Sequence, residues 1–380
     1  MPRIHWLGTG LSSIPGLRML LKKKYNVFVW NRTLEKAQSL LGDLTNNICK
    51  FDLNKLEKEI IAGDVIISML PASHHLDIAK LCLKKNANFI SSSYISEELQ
   101  ELNSDVKKQG LVFLNEVGLD PGIDHLMAHD LVKQYKESYN YSDDNTIEFY
   151  SFCGGVPKKP NEFCYKFSWS PLGVLKALKS PAKSIEEFNP VETLRPWHNV
   201  KEHEIPSFEK EKFEVYPNRD SLPFINQYDF ENNWKLKKFV RGTLRNLGWK
   251  KAWQDIFQNI ENINIDSDYK KLENLSNELW DKYSYKEEEE DRVVLNVSLK
   301  ASQKSNVKFE RSYLLDAWGD KKYTAMARLV SIPVALAVEA ILKNKISIGV
   351  SPAPKSSEIV ADWLDAIKKE AQIFKFIKKY

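Results

Sequence analysis

The residues with the most explicit chemistry are Gly8-Thr9-Gly10, answered a strand later by Asn31-Arg32-Thr33. Two glycines one residue apart, between an apolar strand and a helix, let a diphosphate reach backbone N–H groups at the helix N-terminus, where the dipole favours an anion. Gly8 permits the tight turn and Gly10 the close approach, while Ser13 stands where the usual fingerprint has its third glycine. Pro15 falls in the first helical turn, where its missing N–H removes no bond. The end of the second strand selects the cofactor: an acid there binds a ribose 2′-hydroxyl, an arginine a 2′-phosphate. Here Arg32 comes before any carboxylate, the first being Glu35. The pattern predicts NADP.

Other reactive side chains argue against themselves. Adjacent residues point apart, so His74-His75 cannot ligate a metal jointly. His125 and His129 share a helix face, but the residue after His125 is not Glu, so the zinc-protease pattern fails. Cys153 precedes Gly154-Gly155 and reads as a buried thiol, because hydride transfer needs no nucleophile. The four cysteines show no metal-ligand spacing, so no metal is expected and a reducing, cytoplasmic setting is.

These residues need a scaffold, and the first third of the chain supplies one. A strand opening at residue 2, a helix Leu17–Lys24 and a strand Asn26–Trp30 form a unit of about 30 residues. Helices then alternate with strands: helix Leu34–Leu41, strand Ile48–Leu53, helix Leu56–Ala62 and strand Asp64–Leu70. Helix Leu76–Lys85, strand Ala87–Ser92, helix Glu97–Gln109 and strand Leu111–Leu114, the last of six, complete it. Continuous apolar strands of this kind suit a parallel sheet covered on both faces. The fold class is therefore α/β: an N-terminal Rossmann dinucleotide-binding domain and a mixed α/β substrate and dimerisation domain, with a C-terminal helix returning to the first.

The alternation stops at Asn115. A helix Leu126–Lys136 and a polar loop Tyr139–Asn145 lead into β pattern at Ile147–Cys153, Phe163–Trp169 and Phe213–Tyr216. Glu186–Ser207 reads as loop, Leu236–Tyr283 as helical, and Glu287–Asp291 as a solvated turn. Arg292–Lys300 and Val307–Leu315 alternate as a hairpin, followed by an apolar helix Thr324–Asn344. This predicts domains at 1–119 and 120–322, with 323–380 as the returning segment. The 55 basic against 51 acidic residues are too balanced to indicate a nucleic-acid partner. No apolar run approaches the ~20 residues of a membrane span, and an early first strand leaves no room for a leader. The 11% aromatic content suggests large apolar interfaces or a dimer.

Several stretches together resemble the glutamate-forming saccharopine dehydrogenases (saccharopine reductases): GTGLSSIPGL, WNRTLEKAQ, SSSYIS, NEVGLDPGIDHLMAHDL, FCGGVP with YKFSWSPLGVLKAL, YPNRDSLPF with VRGTLRNLGW, and YTAMARLVSIPVALAVEAIL. The resemblance runs from residue 4 to about 350, is most specific at NEVGLDPGIDH, and is loose and short between Arg245 and Arg292. It implies NADP-dependent, reversible hydride transfer at the secondary amine of saccharopine, giving L-glutamate and 2-aminoadipate 6-semialdehyde, in a homodimer.

By this resemblance the cofactor meets Gly8, Thr9, Gly10, Leu11, Asn31, Arg32, Thr33, Phe51, Asp52, Met69, Leu70, Ile90, Ser91 and Ser92. Val117, Gly118, Leu119, Asp120, Pro121 and Trp169 complete that set. The substrate meets Ser93, Tyr94, Asp120, Arg219, Arg241, Gly242 and Thr243, with Asp120 and Tyr94 nearest the chemistry. Arginine suits a substrate with several carboxylates, because its planar fork makes two bonds to each. Taken alone, Arg219 beside Asp220 reads as a surface ion pair, Asp120 as a helix cap and Trp169 as a core aromatic. The same residues also allow a relative acting on another carboxylated secondary amine, carboxynorspermidine-like or lysine-forming, or a non-catalytic NADP-binding regulator.

Overall fold

The computed structural model describes residues 2–205, 211–264 and 267–380. They form two compact units, one of residues 1–126 with 327–367, the other of residues 127–326 with 368–380.

In the first unit, β1 (Ile4–Leu7), β2 (Val27–Asn31), β3 (Ile48–Lys50), β4 (Val65–Ser68), β5 (Asn88–Ser91) and β6 (Val112–Leu114) build a parallel sheet. The order is β6-β5-β4-β1-β2-β3, with the short strand Gly349–Ser351 added beside β6 as a seventh. Every residue of β1 and β4 is buried, as a sheet with both faces covered requires. The first helix begins earlier than expected, at Ile14, with Pro15 in its first turn. A Cβ on Gly16 would lie 1.9 Å from the Ser331 carbonyl oxygen, and Gly16 N donates to Ser331 Oγ at 2.8 Å. The late helix Ala325–Leu342 thus packs against the cofactor helix through a residue without a side chain. Contrary to expectation, this helix is long and apolar enough to cross a membrane by length and composition; 78% of it is buried in the chain.

In the second unit, β10 (Lys201–Glu204), β11 (Lys212–Pro217), β12 (Lys235–Asn246), β7 (Thr146–Pro157), β13 (Asp291–Gln303) and β14 (Asn306–Trp318) lie in that order, and Ile373–Lys378 joins beyond β14. β8 (Ala182–Glu186) pairs with β12 and with β9 (Asn189–Thr193). Trp249, Trp253, Phe257 and Leu272 from the helices between β12 and β13 pack with Phe163, Tyr165 and Phe167 into an aromatic core.

Several sequence expectations are corrected here. Lys235–Asn246 is a strand, not the start of a helical stretch, because pairing with β7 and β11 outweighs its lysine-rich composition. Phe163–Trp169 is not a strand; its Phe163, Tyr165 and Phe167 are buried in the cluster, and a single bridge joins Phe167 to Ser284. The stretch expected as loop from Glu186 holds β9, a short 3₁₀ turn (Pro196–Asn199) and β10, while residues 206–207 lie outside the described residues. Asp291 is buried and not a turn, since its carboxylate accepts from Ala325 N at 2.7 Å and Met326 N at 2.9 Å, where the late helix starts. The segment after 367 does not stay with the first unit but ends as a strand of the second sheet. Residues 120–126 go with the first unit.

Candidate functional site

The carboxyl edge of the parallel sheet carries the predicted cofactor residues apart from Trp169, which belongs to the second unit. Gly8 has φ +97°, and a Cβ there would sit 2.9 Å from the Met69 carbonyl oxygen at the end of β4. Gly10 differs: a Cβ there would meet nothing within 4 Å, so no contact with the described residues demands a glycine. Thr9 N donates to Asn31 Oδ1 at 3.1 Å and Asn31 Nδ2 to Thr33 O at 2.7 Å, tying the glycine turn to the end of β2. Thr9 is buried, yet its hydroxyl has no partner among the described residues. Ser13, ahead of the helix, makes no side-chain cap. Arg32 is exposed and has no protein partner among the described residues. Open space at Gly10, an orphan hydroxyl and a free guanidinium fit the phosphates of a dinucleotide. Asp52 is already engaged: it caps the helix Leu53–Glu59 by accepting from Lys55 N at 2.9 Å. Ile90, Val117 and Leu119 are buried in the core, so anything they offer a ligand comes from their backbone.

The loops after β4, β5 and β6 are laced together by polar side chains; Ser91 and Ser93 were predicted as site residues, while the fastening roles of His75, Asn115, Glu116 and His125 were not. His75 begins a helix and sits between Ser68 Oγ (2.8 Å) and Ser93 Oγ (2.9 Å). Burial drives its pKa down to about 4, so the ring is neutral. Ser91 Oγ donates to Asn115 Oδ1 at 2.9 Å. Glu116 accepts from Ile95 N at 3.1 Å, and its other oxygen lies 2.9 Å from His125 Nε2. His125 is thereby a fastener of the loop, and the described residues hold no group of three or more metal-ligating side chains. Gly122 has φ +146° and a Cβ would lie 2.1 Å from Gly118 O, so the 118–122 knot closes only on glycine. That knot presents Asp120, whose Oδ1 accepts from the Tyr94 hydroxyl at 3.0 Å.

In the second unit Arg219 and Arg241 are brought together through the backbone. Asn218 N donates to Arg241 O at 2.9 Å and Arg241 N to Ser221 Oγ at 3.0 Å, so the Asn218–Ser221 turn hangs on β12. Asp220 accepts from Leu222 N at 2.9 Å. Arg219 is exposed with φ +58°. Arg241 is buried with its guanidinium carbon 3.9 Å from the Phe224 ring centroid. Thr243 lies across from Tyr216 on β11 and Cys153 on β7. Arg245, two residues further along the same face, was not anticipated: it is buried among Tyr165, Tyr216 and Trp249 at 4.6, 5.5 and 5.6 Å. Its only signal in the sequence was the period of two that it shares with Arg241. Trp169 packs half-buried beside the aromatic core, and Gly173 makes room for its ring.

Residues 4–114 match the saccharopine dehydrogenase NADP binding domain, and residues 118–373 match the saccharopine dehydrogenase C-terminal domain. The chain belongs to the saccharopine dehydrogenase family. It is an NADP-dependent oxidoreductase on a mixed α/β fold, with NADP as its cofactor. Similar to it is the saccharopine dehydrogenase [NADP(+), L-glutamate-forming] of Schizosaccharomyces pombe, 28% identical and covering 97% of both chains. That alignment runs over 453 positions, more than the 380 residues here, so the relative carries residues that this family member lacks. The Pyricularia oryzae protein of the same name is 29% identical over 96% of each chain. Among solved structures, the apo saccharopine dehydrogenase (L-Glu forming) of Saccharomyces cerevisiae superposes with a TM-score of 0.81 at 25% identity, covering 100% of both.

Proposed function

We propose that this family member catalyses the reversible NADP-dependent oxidation of saccharopine to L-glutamate and 2-aminoadipate 6-semialdehyde. The observation that carries the reading is the Tyr94–Asp120 pair, held by the Gly118–Gly122 knot on the same sheet edge as the Gly8–Gly10 turn. Oxidation takes a hydride from the carbon bonded to the secondary amine and a proton from its nitrogen; water then splits the carbon–nitrogen double bond into amine and aldehyde. NADP, when bound, accepts that hydride. Gly8 to Leu11 and the helix after them receive the pyrophosphate, and Arg32 the 2′-phosphate. Asn31, Thr33, Phe51 and Asp52 lie at the adenosine side. Backbone groups at Met69-Leu70 and Ser91 serve the nicotinamide side, and Ile90, Ser92, Val117 to Pro121 and Trp169 complete the proposed cofactor contacts. Ser93, Tyr94, Arg219 and Arg241 to Thr243 bind the substrate, and Asp120 with Tyr94 holds the amine and its proton. The reading includes a cytosolic homodimer, supported by the 11% aromatic content and by four cysteines without a disulfide.

The test is NADPH formation followed by absorbance with saccharopine as substrate, with glutamate and lysine quantified as products. Turnover to glutamate is expected. Turnover to lysine, or of a different carboxylated secondary amine only, transfers the assignment to a relative of this enzyme. Stoichiometric NADPH binding without turnover of any secondary amine makes the chain a regulator.

A further inference from the structure

The hydroxyl of Ser68, on β4, is fully buried, and His75 Nδ1 is its partner at 2.8 Å. The other ring nitrogen, Nε2, lies 2.9 Å from Ser93 Oγ. A neutral imidazole has one N–H and one acceptor nitrogen, so only two arrangements exist. If Nδ1 carried the hydrogen, Ser68 would accept it and its own O–H would be buried with nothing among the described residues to donate to. Leaving a buried donor unmade is the costlier outcome. If instead Ser68 donates to Nδ1, the hydrogen sits on Nε2 and is donated to Ser93 Oγ. Ser93 then accepts from the histidine, and its own hydrogen is left for a group outside this chain of bonds.

We propose that His75, held by Ser68 with its hydrogen on Nε2, is a positioning residue that fixes Ser93 as a hydrogen-bond donor and makes its position a subsite for a substrate carboxylate. The neighbouring residue has the opposite polarity, because the Tyr94 hydroxyl spends its hydrogen on Asp120. An anion at Ser93 beside an amine at Tyr94 and Asp120 is the pattern of an amino acid. The inference rests on the proposed function in one respect, that Ser93 faces the substrate.

Two measurements on the full chain test it. The first is nitrogen NMR of protein labelled with ¹⁵N in its seven histidines, the His75 signals being assigned by their loss in His75→Asn. At pH 7 the ring is expected to be neutral and protonated at Nε2; a hydrogen on Nδ1, or on both nitrogens, overturns the proposal whatever the substrate is. The second is kinetics with saccharopine. Ser93→Ala and His75→Asn, which reaches Ser68 only, should each raise KM about 10- to 100-fold with NADPH affinity unchanged. His75→Gln places an amide nitrogen near the Nε2 position and should restore KM to within about five-fold. The double variant should be no worse than Ser93→Ala. Equal damage by Gln and Asn, or additive losses, would show a merely structural histidine. Absence of saccharopine turnover by the unmodified chain defeats the proposed function instead and leaves the NMR result standing.

Discussion

The two sheets place their proposed ligand residues differently. In the parallel sheet these residues stand where strands stop: Gly8 after β1, Arg32 after β2, Met69 after β4, Ser93 in the loop after β5 and Asp120 after β6. In the second sheet Arg241, Gly242 and Thr243 stand inside β12, hydrogen-bonded to strands on both sides. A strand end offers unpaired backbone N–H groups and room for a close approach, so its specificity is built from glycines and turns. A strand interior has spent its backbone, so what Arg241 and Thr243 can offer a ligand is their side chains, which share one face with Gly242 between them on the other. Substitutions should therefore fail through geometry in the first unit and through charge in the second.

The largest effect is expected at Gly122. Alanine there meets Gly118 O at 2.1 Å with φ +146°, and should cost about 4 kcal/mol or more, read as loss of the cooperative melt. Gly10→Val sharpens the contrast, since its side chain enters open space. Its melting temperature should stay within about 3 °C while calorimetry shows NADP affinity falling by about 100-fold or more. If both glycines behave alike, the distinction between a structural and a ligand-facing glycine is wrong.

Next is Arg219→Leu, expected to lower kcat/KM for saccharopine about 100-fold, near 3 kcal/mol, with NADPH affinity intact. Lysine at the same position should restore part of the loss, because it keeps the charge without the fork. A loss shared with cofactor binding would mark Arg219 as structural.

His75 gives a pH dependence to the first unit. Its folded pKa of about 4 lies below the ordinary 6.5, so the unfolded chain takes up the proton first as pH falls. Its contribution to stability is present in full above pH 6.5 and is lost as pH drops towards 4, at about 1.4 kcal/mol per unit and about 3 kcal/mol in all. Urea unfolding of the parent and His75→Gln between pH 7 and 4 isolates the difference in slope; parallel curves would refute it. The smallest effect is that of Arg32→Ala, expected to weaken NADP by about 1.5–3 kcal/mol and NAD hardly at all. Equal weakening of both would remove Arg32 from the 2′-phosphate.

The first sheet was legible because its rules are local. Helix Leu34–Leu41 lies where the apolar spacing puts it, and β4 is the core of the continuous run Asp64–Leu70. The glycine turn also announced itself, since only a few residue types make such a turn. The fasteners were harder to see. His75 looked like half of a weak metal pair, and Glu116 like any loop acid, because their partners Ser68, Ser93 and His125 come from other elements. Arg245 gave no sign of burial, since arginine is exposed unless something cages it.

By itself the sequence determined the glycine turn, the apolar strands of a doubly wound sheet, the arginine that favours NADP and the motifs that mark the family. Each depends on backbone conformation or side-chain period over a few residues. Only the tertiary structure decided that lysine-rich Lys235–Asn246 is a central strand, that Gly349–Ser351 extends the parallel sheet, that the chain ends in the second sheet, and that Asp291 caps a helix starting at Ala325. Those outcomes depend on pairing between segments far apart in the chain, where the free energy gained by the partner outweighs local preference, and no window of sequence contains the partner.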